Sequence, residues 1–135
     1  MTSDRWVGLG ALALLVVSLF LPAIDGNGFP ALSGMDVLRQ GAGVILDGIV
    51  SWYANPLILA ALGVLALRRF KVALALALFA TLLALSSFGA GPLAERAGRS
   101  VPAFGFSIGF YLWLLAFLLA DIAAALGIYK ESRRR

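Results

Sequence analysis

Between Leu57 and Leu85 the only charged residues are Arg68, Arg69 and Lys71, gathered with Phe70 into one four-residue run. Unbroken apolar sequence leaves that run in both directions. A soluble helix interrupts its apolar residues with a polar face every turn, whereas two membrane crossings joined by a wet turn do not need to. The stretch therefore predicts a hairpin of transmembrane helices with its turn in water. Composition points the same way. Of 135 residues, 61% are apolar and 13% charged, against about 45–50% and about 25% in an average soluble domain.

The remaining crossings are read in order as one membrane domain. A first spans about residues 6–24, from Trp6 to Ile24, after the polar start Met1–Arg5. It lacks an A-x-A-like site and is longer than a signal core of about 7–15 residues, so it is expected to be retained. Asp25-Gly26-Asn27-Gly28 and Pro30 follow as a turn-rich loop. Within the external loop, about 25–48, Ser33 and Asp36 have capping-box spacing. Met35, Leu38, Ala42, Ile45, Leu46, Ile49 and Trp52 then share an arc of about 120°. That predicts an amphipathic helix lying along the interface over the bundle. A second crossing is expected over about 49–67, with Asn55 as N-cap and a kink at Pro56, because Pro56–Leu67 alone spans only about 18 Å. A third covers about 72–89 and a fourth about 104–129, before a basic tail, 130–135. The fold class is an all-α, four-transmembrane-helix bundle with an amphipathic helix in the first external loop.

Composition also removes chemistry. With no Cys and no His, thiolate catalysis, imidazole metal sites and the usual nucleophile–base pairs are excluded, and no catalytic, cofactor or metal site is expected. The net charge of +4 does not imply nucleic acid, because membrane proteins collect Lys and Arg on their cytoplasmic side. Arg5, Arg68, Arg69, Lys71, Lys130, Arg133, Arg134 and Arg135 fall on one side of the predicted bundle, and Arg39, Arg96 and Arg99 on the other. Both termini are thus expected in the cytoplasm, with anionic lipid at the tail.

Asp121 is the ionisable residue deepest in an apolar crossing, about 12 Å from Tyr129 by helix rise. A short carboxylate there needs a partner or a proton. The expected partners are Arg68 and Arg69, whose long side chains reach inward from the turn. The alternative is a proton-relay or cation-coupling carboxylate. Ala73, Ala77, Ala80 and Ala84 form one small-residue seam, and Ala116, Ala120, Ala123 and Gly127 a second, of the kind that lets helices approach closely in lipid. Trp52, Tyr53 and Tyr129 are read as interface anchors.

Trp52-Tyr53-Ala54-Asn55-Pro56-Leu57, the Arg68–Lys71 turn and Phe110-Tyr111-Leu112-Trp113-Leu114 together resemble small, mostly uncharacterised four-span bacterial inner-membrane proteins. The resemblance implies that architecture and the bacterial inner membrane, and no activity. The functional expectation is an accessory or interaction subunit that packs against a larger membrane protein or another copy of itself. A minimal proton- or cation-coupled transporter using Asp121 and a holin-like pore former are the alternatives. The small multidrug resistance family is similar in size only, since Trp6–Ile24 lacks that family's membrane carboxylate.

Overall fold

The computed structural model describes residues 2–26, 29–35, 53–86 and 104–135. Their elements are α1 (Ser3–Phe20), β1 (Pro22–Gly26), β2 (Phe29–Ser33), α2 (Ala54–Ala66), α3 (Phe70–Leu85), β3 (Phe104–Phe106) and α4 (Ile108–Arg133). Two of the helices, α1 and α4, are long and apolar enough to cross a membrane, while α2 and α3 are shorter apolar helices. At 1.5 Å per residue the four run about 27, 20, 24 and 39 Å in chain order.

Antiparallel neighbours build the bundle. α1 lies chiefly along α4, and α3 packs between α2 and α4. Lys130 and Asp4 meet at one end of the α1–α4 pair. At the other end Gly109 lies so close to the carbonyls of Leu21 and Pro22 that a Cβ would fall 2.7 Å from each oxygen. Between α2 and α3 the turn closes as a Schellman motif: Arg68 N–H donates to Leu65 O at 3.0 Å and Arg69 N–H to Val64 O at 3.2 Å. The residue at its left-handed position, normally glycine, is Arg68, with φ 60°.

Side-chain volume is distributed small inside and large outside. Ala11, Ala54, Ala61, Ala73, Ala77, Ala80, Ala84, Ala116, Ala120, Ala123 and Ala124 are buried, with Ile58 and Phe117 the largest fully enclosed apolar side chains. Leu9, Leu12, Val16, Val17, Leu59, Leu78, Leu82, Leu115, Leu118 and Ile122 face outward. Only 28% of the most apolar window of α1 and 33% of that of α4 is buried within the fold. Of the exposed aromatics, Trp6 and Tyr129 lie at one end and Phe20, Tyr53 and Tyr111 at the other, while Phe79 is exposed along the length of α3.

Several boundaries differ from the sequence reading. The first helix stops at Phe20, because Pro22 pushes Leu21 into extended geometry, φ −99° and ψ 153°. The turn-rich loop is instead part of a three-stranded antiparallel sheet of order β2-β1-β3, which adds strands to a chain expected to be all helical. Ile24 pairs with Leu32 on one side and with Phe106 on the other. Phe104–Phe106, assigned to the fourth crossing, forms the third strand, and α4 begins at Ile108. At the other end α4 continues to Arg133, so most of the expected tail is helix.

Asn55 is not an N-cap, since Tyr53 holds that position. Pro56 is the third residue of α2 and breaks no helix there, because the first four N–H groups lack intrahelical partners anyway. The third helix begins two residues early, at Phe70. The backbone is helical at Gly34 and Met35, while the remainder of the amphipathic segment, Trp52, and Arg39, Arg96 and Arg99 lie outside the described residues.

Candidate functional site

Asp121 sits near the middle of α4 and faces α3. Its neighbour is Thr81, whose Oγ1 lies 2.8 Å from Asp121 Oδ2 and 2.9 Å from the carbonyl of Ala77, one turn back. Thr81 is buried at 7% exposure. A hydroxyl carries one proton and can give it to only one acceptor at a time. If the carboxyl is ionised, Thr81 donates to it. If the carboxyl carries the proton, it donates to Thr81 Oγ1, and Thr81 passes its own proton to Ala77. Asp121 Oδ1 is buried and takes no hydrogen bond among the described residues.

This corrects the expected pairing. Arg68 and Arg69 are at the α2–α3 turn and neither bonds to Asp121. Helix rise explains why: Thr81 is eleven residues beyond Phe70, so Asp121 opposite it lies about 16 Å from the turn. A signal for the true partner was present in the sequence. Thr81 is the one polar side chain of α3 between Lys71 and Leu85, and Asp121 the one carboxyl side chain of α4 before Lys130.

Both small-residue seams are consumed inside the chain. Ala73, Ala77, Ala80 and Ala84 of α3 and Ala116, Ala120, Ala123 and Gly127 of α4 are all buried. Gly127 permits the closest approach, since a Cβ there would overlap the ring of Phe70. Nearer the sheet, Trp113 Nε1 donates to Asn55 Oδ1 at 2.8 Å, tying α4 to α2, while Trp113 packs edge-on against Phe117 at 4.8 Å. Of the expected interface anchors, Tyr53 and Tyr129 are exposed, and the guanidinium of Arg133 lies 4.8 Å from the Tyr129 ring centre.

The end opposite the sheet carries Arg5, the Arg68–Lys71 turn and Lys130–Arg135. There the first turn of α1, the α2–α3 turn and the last turns of α4 enclose a cleft of ≈ 220 Å³, lined by Thr2, Asp4, Arg68, Phe70, Lys130 and Arg134 among others. Lys130 Nζ is 3.1 Å from Asp4 Oδ1. Glu131, which also lines the cleft, pairs with Arg135 at 3.4 Å. Among the described residues no group of three or more His, Cys, Asp or Glu is placed to hold a metal ion. No protein family, no curated protein and no solved structure is matched by this chain.

Proposed function

We propose that this chain is a small integral membrane protein acting as an accessory or interaction subunit of a membrane assembly, with its basic end in the cytoplasm. The observation that carries the membrane part is the volume distribution: alanine and glycine inside, leucine, valine and isoleucine outside. In water the large apolar side chains would be the ones buried. In lipid they cost nothing outside, and close backbone packing holds the helices together. Aromatic residues at the two ends support the same reading. By helix rise Tyr111 and Tyr129 are about 27 Å apart, close to the apolar thickness of a bilayer. The basic end then faces the cytoplasm by the positive-inside rule.

The subunit part rests on what the bundle lacks a use for. Its seams are filled by its own helices, so a partner would meet the outer Leu and Val faces of α1 and α4. Carbonate extraction tests the first part and should leave the protein in the membrane fraction. Size determination after mild detergent extraction tests the second: co-elution with a larger membrane protein is expected, and a lone chain removes the subunit reading.

One observation favours a second reading, proton- or cation-coupled transport: the buried Oδ1 of Asp121 takes no hydrogen bond among the described residues, and ionisable groups at such depth commonly mark proton or ion paths. It requires that Asp121→Asn abolish coupled flux in liposomes while the helical content stays unchanged. Equal flux in both proteins dismisses it.

A further inference from the structure

We propose that the cleft at the basic end binds the phosphate of an anionic membrane phospholipid, held by Arg68 and Arg134. This rests on the membrane reading above and adds to it a specific ligand site. The argument begins with charge. Of the two acids bordering the cleft, Asp4 is committed to Lys130 at 3.1 Å and Glu131 to Arg135 at 3.4 Å. Arg68 and Arg134 also line the cleft, yet their guanidinium groups make no ion pair or hydrogen bond among the described residues. Two residues that carry planar cations thus line a space whose two acids are both paired. Guanidinium groups match phosphate oxygens in pairs, with geometry that ammonium groups lack.

Backbone conformation supplies an independent argument. Arg68 occupies the left-handed position of a Schellman turn, where glycine is the relaxed residue. Strain of that kind is retained where the side chain has a use the backbone does not share. Its effect is to anchor the guanidinium on the turn that joins α2 to α3, beside the last turn of α4.

Location then selects a lipid over a free anion. The cleft is at the level where Trp6 and Tyr129 are exposed, the depth such rings take at a membrane surface. Phe70 forms part of its wall and Leu67, beside Arg68, is 73% exposed, so an acyl chain has apolar surface to follow. Its volume of ≈ 220 Å³ admits a phosphodiester with several waters, each of which takes about 30 Å³ in the liquid.

The test is native mass spectrometry of the detergent-solubilised full chain titrated with phosphatidylglycerol, with phosphatidylcholine of the same acyl chains, or with inorganic phosphate. Wild-type protein should prefer phosphatidylglycerol. Arg68→Gly and Arg134→Gln should each weaken that binding about tenfold, the loss expected of one charge-assisted hydrogen-bonded contact. Arg135→Gln removes the same charge from a guanidinium already paired with Glu131 and should change binding by no more than about twofold. Arg68→Gly also relaxes the turn, so its thermal midpoint should equal or exceed that of wild type, separating lost binding from lost folding. Equal weakening by Arg135→Gln would reduce the site to general attraction and overturn the proposal. So would unchanged binding in both cleft variants, or displacement of the lipid by millimolar inorganic phosphate. A chain that resists carbonate extraction yet shows no preference for phosphatidylglycerol sinks this site alone. A chain released by carbonate sinks the membrane reading and the site with it.

Discussion

Arg68 shows how much one backbone angle can say. An L-residue in the left-handed region costs about 1–2 kcal/mol relative to its right-handed form, a cost glycine escapes. Replacing Arg68 with Gly should therefore raise stability by about 1 kcal/mol, read as a higher midpoint in thermal unfolding of the detergent-solubilised chain. Thr81 and Asp121 make the opposite case, two polar side chains that share one hydrogen bond across helices while Asp121 Oδ1 takes none among the described residues. Thr81→Val strips Asp121 of the bond it makes and should cost about 1–2 kcal/mol. In an Asp121→Asn background the same change should cost less, and the difference measures the coupling. Additive costs would mean that the 2.8 Å contact contributes nothing.

At the scale of elements, the seams make a sharp distinction between faces. Ala80 and Ala116 are wholly enclosed, so Ala80→Leu or Ala116→Leu should overpack the bundle and cost about 1–3 kcal/mol. Leu82→Ala, on the outer face of the same α3, should stay within about 0.5 kcal/mol. Unfolding by denaturing detergent, followed by circular dichroism, reads both.

The helices and their seams were legible in the sequence because long apolar runs and alanines at helical spacing are local patterns. The sheet was also signalled locally. Asn27-Gly28 between apolar stretches is a strong short-range hairpin signal, and Pro22 marks where a helix should end. The apolar run of Trp6–Ile24 masks both, because it continues past Pro22 without a polar break. Phe104-Gly105-Phe106 was hidden for another reason: its pairing with Ile24–Gly26 joins residues some eighty positions apart, which no local pattern reports. Asp121 was legible as a residue that must be accommodated, whereas its partner is a neutral hydroxyl on another helix, which charge alone does not reveal.

For the molecule as a whole, the apolar exterior is the feature on which the proposed membrane reading stands or falls. Leu78 lies in the middle of α3 and is 48% exposed. Leu78→Lys should cost about 2.5–3.5 kcal/mol if that face meets acyl chains and lower the yield of membrane-inserted protein. On a protein in water the same change would be nearly neutral and would improve solubility. The chain's lack of cysteine makes orientation easy to read. A single cysteine introduced at Ser132 should react with a membrane-impermeant thiol reagent only after the cells are opened.

The arrangement of α1 against α4 has a consequence for biosynthesis. The two helices that pack most extensively, α1 and α4, are separated by about ninety residues, or roughly 5–20 s of synthesis. On the proposed membrane reading, α1 would wait in the bilayer during that interval without its main neighbour, Asp4 without Lys130, and the α2–α3 hairpin without the helix that carries Asp121. On that reading assembly would be a closing step that follows insertion, and a nascent chain stalled before Ile108 should be recognised as incomplete by whatever shelters or degrades unpaired membrane helices.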